Sequence, residues 1–506
     1  MSDPHSRSRA DTLSQRFALV LFVIVICLVL PYQARLLHYM QWGDESETIV
    51  ASRMIASGMR LYSDVFNHHG PLTFFSGVLL EKFGHLSVAA HRVPIAALQL
   101  VTLAALYWSP ILAARSERRI FVAIAAIAMI AMLPDGELYG HTYTYQPIAG
   151  MFIAIALAQY TLPSILQVGA VRRYQVVLGN LLIVALPFLA ITYAPAAILL
   201  FVASLRRAHL MPSLAAVIIG VVLNVLFLAA IGSFAGYWVD HFYVNAKLLP
   251  LYNGGQSPVQ LVRTILRILT ERVESVSAAL VLLACIARLA LHESKVPWRS
   301  ACVAAALLSL LMRGNAIQGV PFWYALIAIA AILASTVALS ATQRLVWVGG
   351  VMLFSTRLAY PLVSTASVLN TQHRSEHTLF GDLVQRVTEP DDRIIAWSFQ
   401  NFEYLAADRM PASGNFFYLP WQQKYQERPM MGISINACDD IVRVKPKLML
   451  IDKWLVWEKY PWSSYAECVQ GVIDRDYRQI PGHPFYVRLE LYDRAIAAFS
   501  VMPLTR

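Results

Sequence analysis

What this 506-residue chain has least of is charge. Asp, Glu, Lys and Arg make up 14% of it and hydrophobic residues 57%, whereas a soluble enzyme of this size carries roughly a quarter charged residues. That shortage excludes an ordinary water-soluble globular protein. Acids are scarcer than bases, 31 against 41, for a formal net charge of +10. The bases are nevertheless scattered, with no basic domain of one face, which excludes nucleic acid as a partner. Internal repeats and low-complexity segments are absent. No small-residue cleavage site follows the first apolar run, so that run is expected to stay as a signal anchor.

What is present instead is a series of apolar runs long enough to cross a bilayer. The hydropathy predicts eleven spans, near 16–36, 88–112, 119–134, 147–168, 175–191, 194–205, 211–231, 275–291, 299–313, 317–340 and 344–366. The fifth and sixth, joined at I-T-Y-A-P, read either as a tight hairpin or as one bent helix. Cytoplasmic loops are enriched in Lys and Arg. With the hairpin, every basic cluster falls inside: Arg7, Arg9 and Arg16; Arg115, Arg118 and Arg119; Arg172 and Arg173; Arg206 and Arg207; Arg288, Lys295 and Arg299; Arg344. The N-terminus is then cytoplasmic, and 38–87, 135–146, 232–274 and the C-terminal tail lie outside. The excess positive charge reflects this orientation and contact with anionic membrane lipids.

Residues 1–366 read as a membrane domain and 372–506 as a smaller external α/β domain, long enough to fold by itself. In the tail, R-I-I-A-W-S (393–398) and K-L-M-L-I-D (447–452) read as buried strands and F-E-Y-L-A-A-D-R (402–409) as a helix. Of five cysteines, Cys27, Cys285 and Cys302 sit in apolar spans as small hydrophobes. Cys438 and Cys468 lie in the external tail, where they either pair or stay free.

The chemistry concentrates in the first external loop. Over 45–57, Ile49, Val50, Met54 and Ile55 share a helical face and Gly58 suits the C-terminal cap. This predicts an amphipathic helix in the membrane interface. P-L-T-F-F-S-G-V-L-L (71–80) is too short to span and predicts a second interfacial or re-entrant helix. Asp44 with Glu47 reads as a capping box, or Asp44 reads as a general base for an acceptor hydroxyl. Arg53 and Arg60 are either snorkelling interfacial arginines or a clamp on a phosphate. His68 and His69 suit phosphate contact or loop packing. Adjacent side chains rarely converge on one ion, so no metal site is expected.

The stretches D-E-S-E-T-I-V-A-S-R-M-I-A-S-G (44–58), N-H-H-G-P-L (67–72) and F-G-H-L-S-V-A-A-H-R-V-P (83–94) resemble the first-loop signature of GT-C glycosyltransferases. The bacterial branch containing the lipid A aminoarabinose transferases and the protein O-mannosyltransferase-like enzymes is the nearest group. The tail from D-D-R-I-I-A-W-S to R-M-P-A-S-G-N-F-F-Y (391–418) is similar to the end domain of bacterial members. The resemblance implies a polytopic α-helical GT-C fold with a C-terminal α/β periplasmic domain in the cytoplasmic membrane. It implies inverting transfer from a polyprenyl-phosphate-linked sugar to a lipid or glycan acceptor, without a cofactor or an essential metal.

On matching positions it implies that Asp44 engages the acceptor, with Glu45 as its usual neighbour. Arg53 lies near the donor phosphate, and Arg92 matches a recurrent arginine. Arg60, His68 and His69 are further candidates for the phosphate. Two departures stand out: close relatives carry a lysine where this chain has Gly70, and a second-loop acid is not plainly aligned. Glu137 is the candidate for that acid, ahead of Asp135, with Gln146 near the position. Two other classes compete: a transporter or translocase of lipid-linked sugars, and a non-catalytic subunit of an envelope assembly. Transporters tend to show repeated halves and polar groups near the midplane, and neither is evident here.

Overall fold

The structure, a computed structural model, describes residues 4–134, 138–167, 171–253, 257–271, 273–293, 297–313, 319–336 and 377–502. Helices dominate. Four are long and apolar enough to cross a membrane: Gln15–Leu36, Val88–Tyr107, Tyr145–Leu166 and Arg207–Ile231. The pair Pro258–Thr270 and Ser275–Ala290, bent by 106°, makes a fifth if counted as one span. Other predicted spans are shorter apolar helices, among them Arg173–Leu189, Ile191–Ser204, Trp298–Ser309 and Val320–Ala334. Among the described residues, four or five helices thus meet the length and composition of a span, and the shorter apolar helices cover other predicted runs. An apolar run measured along the sequence includes turns and helix breaks that a continuous helix does not. The 119–134 run, for example, is a helix over Arg115–Ile127 that opens into a π turn at Ala128–Met132. The run at 344–366 lies outside the described residues.

The chain divides into two compact units. The first comprises Met1–Met40, Arg92–Asn224 and Ser257–His373. Its longest helices turn large apolar side chains outward, with Phe17, Leu28 and Ile218 each more than 60% exposed. In water such exposure would be costly; in lipid it costs nothing. Inside this unit, helix α1 (Pro4–Leu36) ends in carbonyls that have no intrahelical partner. The Arg92 guanidinium, 1% exposed, takes them up, donating to the carbonyls of Leu36, Leu37, Tyr39 and Met40 at 2.6–3.2 Å.

The second unit comprises Gln41–His91, Val225–Gln256 and Arg374–Arg506. These segments belong to three of the four regions that charge counting places on one side of the membrane. They are stitched together by backbone: the Leu61 N–H donates to Ile231 O at 2.9 Å, the Ser233 N–H to Leu61 O at 3.1 Å, and the Phe66 N–H to Gly414 O at 3.0 Å. Two glycines permit the approach. A Cβ at Gly414 would lie 2.1 Å from Asp64 O, and one at Gly236 2.4 Å from Tyr62 O. The helices Arg173–Leu189 and Ala194–Ser204 are separate and joined by a 3-10 turn at Ile191–Tyr193.

The tail forms a four-stranded sheet in the order β1-β2-β4-β3, from β1 (Ile395–Trp397), β2 (Leu448–Ile451), β3 (Tyr477–Gln479) and β4 (Phe485–Arg488). β1 and β2 are parallel, pairing Ala396 with Leu450; β2–β4 and β4–β3 are antiparallel. A parallel pair needs a long crossover, and helices Phe402–Ala407, Pro420–Gln426 and Ala437–Val444 provide it. Every residue of β1 and β2 is buried, and the Trp397 indole donates to Asn415 O at 2.7 Å. Cys438 and Cys468 are joined by a disulfide, with Cα atoms 6.1 Å apart.

Candidate functional site

Helix α2 (Gly43–Ala56) follows α1 and carries most of the acids and one arginine of the first loop. Gly58 at φ +102° lies just beyond it, in the left-handed conformation that a helix exit favours. The capping box read from Asp44 and Glu47 is not formed. Trp42 is the N-cap, without a side-chain bond, and Asp44 is in the first turn. There it is half-buried, and its carbonyl accepts from the Thr48 hydroxyl at 2.7 Å. A carboxylate at this point is favoured by the helix dipole. Glu45, by contrast, is fully buried.

The amphipathic reading of α2 is also corrected. All residues from Glu45 to Ile55 are buried, polar ones included. The polar face that would have met water packs instead against other parts of the second unit, where each charged group needs a partner. Arg53, 4% exposed, donates from Nε to Glu81 Oε2 at 3.1 Å and from Nη1 to Asp408 Oδ1 at 3.3 Å. Glu81 ends helix α3 (Phe75–Glu81), and its other oxygen meets His91 Nε2 at 3.2 Å. Burial alone would raise the Glu81 pKa; the hydrogen bond from His91 and the Arg53 charge outweigh it and hold the carboxyl below its usual value. Asp408 also receives His85 Nδ1 at 2.6 Å.

Glu47, read only as a capping partner, is the centre of a second cluster. Its Oε1 accepts from Asn67 Nδ2 at 2.8 Å and lies 3.6 Å from His69 Nδ1. Burial, and after it the nearby Asp44, push the Glu47 carboxyl well above the ordinary carboxylate range. His68 and His69 have ring centroids 4.5 Å apart. Beside them, the π-helical segment Tyr237–Leu248 supplies His241 and Asn245, which donate to the His68 carbonyl at 3.1 and 2.9 Å. It also supplies Asp240, fully buried, whose carboxyl burial raises well above its usual range, only partly offset by the Asn67 backbone N–H. Asp240 and His241 carried no sequence signal beyond an acid and a histidine in an external loop.

The structure thus brings Asp44, Glu45, Arg53, His68 and His69 into the second unit. Arg60 is in the same unit, exposed, its Nη2 donating to Gly232 O at 2.7 Å. Arg92 belongs to the first unit, where it is a cap of α1. Gln146 is buried at the start of Tyr145–Ala156. Asp135 and Glu137 lie outside the described residues.

This is a helical membrane protein with a polar, acid- and histidine-rich unit assembled from loops and tail. No family model matches the chain, and no curated relative matches it. Among solved structures it is similar to ArnT from Cupriavidus metallidurans in two states. Against ArnT bound to undecaprenyl phosphate the TM-score is 0.45 at 12% identity, over 92% of this chain and 97% of that one. Against the apo state it is 0.46 at 13% identity, over 87% and 94%. A likeness of this degree assigns neither substrate nor residue roles.

Proposed function

We propose that the chain is a membrane glycosyltransferase that moves a sugar from a polyprenyl phosphate to an acceptor at the outer face of the cytoplasmic membrane, lipid A, lipopolysaccharide or another envelope glycan. The observation that carries this reading is the position of Asp44. It is the half-buried carboxylate at the head of a helix whose following acids, Glu45 and Glu47, are wholly buried. A carboxylate so placed can take a hydrogen bond or a proton from an acceptor hydroxyl as it attacks the anomeric carbon. The motif resemblance over 44–58, 67–72 and 83–94 supports the same role.

The leaving phosphate needs positive charge as the sugar departs. Arg53 is proposed for that contact. Glu81 fixes its guanidinium, while Asp408, with a side chain 56% exposed at 3.3 Å, is the carboxylate an incoming phosphate can replace. Arg60, exposed in the same unit, is the second candidate. The second-loop acid is proposed at Glu137, and the domain division at 1–366 and 372–506 is retained as a proposal for how the chain is organised along its length. The reading is tested by incubating purified protein with a polyprenyl-phosphate sugar and an envelope-lipid acceptor. Release of polyprenyl phosphate is expected, and its absence with every donor tried would overturn the assignment.

A further inference from the structure

Glu47, His68 and His69 converge, and we propose that they bind a divalent cation of the zinc class. One oxygen of Glu47 and one nitrogen of each histidine all lie within 4.8 Å of one another. The His69 Nδ1 to Glu47 Oε1 separation, 3.6 Å, is already near the donor–donor edge of about 3.3 Å that a tetrahedron with roughly 2.0–2.1 Å bonds requires. Two imidazoles with one carboxylate form a borderline donor set that suits zinc and leaves one position for water.

The convergence is unusual for neighbours in sequence. In an extended segment successive side chains point to opposite sides, whereas these two rings approach to 4.5 Å. The backbone that turns them together is held from several directions. The His68 carbonyl accepts from His241 and Asn245, and the His69 carbonyl accepts from the Tyr62 hydroxyl at 2.6 Å. The His69 N–H donates to Asn67 Oδ1 at 2.9 Å, while the same amide's Nδ2 fixes Glu47. Asn67 therefore orients two of the three donors, as the outer partners of metal ligands do. Glu47 and His69 are buried and His68 is half-buried, which gives an ion a way in.

The site is tested on the full chain in detergent, stripped with chelator and dialysed against zinc or cobalt. Elemental analysis is expected to find about one zinc per chain. The cobalt form is expected to show the strong visible absorption of a four-coordinate ion, and zinc is expected to raise the melting temperature. The double substitution His68→Ala with His69→Ala, and separately Glu47→Gln, should lose the bound metal. Should these variants not fold, the wild-type stoichiometry and cobalt spectrum still decide. Sub-stoichiometric zinc, a six-coordinate cobalt spectrum, or full metal content in a folded double variant would overturn the proposal. The first of these outcomes would leave Glu47 as a buried carboxyl held by Asn67.

Discussion

Arg53 and Glu81 form a buried ion pair, Nε to Oε2 at 3.1 Å, with side-chain exposures of 5% and 0%. Removing one partner leaves the other with only its second contact, Asp408 for Arg53 and His91 for Glu81, and costs up to about 3–5 kcal/mol. Arg53→Ala and Glu81→Gln should therefore each lower the denaturation midpoint strongly. Their combination should cost less than the sum, because neither charge is then left alone. Additive losses in urea unfolding would show that the two residues act independently.

The proposed role of Asp44 separates from stability. Because the side chain is half-exposed and asparagine keeps its size, Asp44→Asn should melt within about 1 kcal/mol of the parent. Transfer to the acceptor should nevertheless fall by at least about a hundredfold, the scale of a lost general base. Turnover assays beside melting curves check both, and near-normal turnover sinks the assignment.

Arg53→Lys offers a finer probe of the donor site. Lysine keeps the charge but not the planar fork that can serve Glu81 and a phosphate together. A rise in the apparent KM for donor, with acceptor KM unchanged, is expected from initial-rate measurements. Equal changes in both would point to a general distortion of the loop.

Glu403 gives a pH signature. Burial pushes its carboxyl up to about 7, although the Thr378 hydroxyl donates to it. In the unfolded chain it titrates near 4.3. Between these values the folded state keeps a proton that the unfolded state has lost. Its contribution is therefore full below the unfolded value and declines as pH rises through 7, by up to about 4 kcal/mol. Glu403→Gln should flatten the fall in stability between pH 5 and 8. An unchanged slope in unfolding experiments across that range would contradict it.

The Cys438–Cys468 disulfide closes a loop with a sequence separation of 30. Chain entropy assigns such a loop about 3–4 kcal/mol. Reduction, or replacement of both cysteines by alanine, should destabilise the tail by that order. Mass spectrometry of alkylated, unreduced protein should find two fewer modifiable cysteines than after reduction.

The sequence by itself determined what is local or one-dimensional. The shortage of charge and the long apolar runs mark a membrane protein. Periodicity located α2 and the strands at 395–397 and 448–451 within a few residues. It worked because burial imposes a repeat on each element separately. Hydropathy does not see where a helix bends or opens into a π turn, as at Ala128–Met132.

Tertiary structure alone decided the partners. The first loop, the 225–256 segment and the tail form one unit because Gly414 and Gly236 let distant backbones touch. Asp408, 355 residues beyond Arg53, and Asp240, in another loop, carry no mark in sequence of what they face. Glu47 shows the difference most sharply. At i+3 from Asp44 it reads as a cap, yet folding turns it toward Asn67 and His69. A helix with buried residues on all its faces gives each polar side chain a neighbour that only three dimensions can supply.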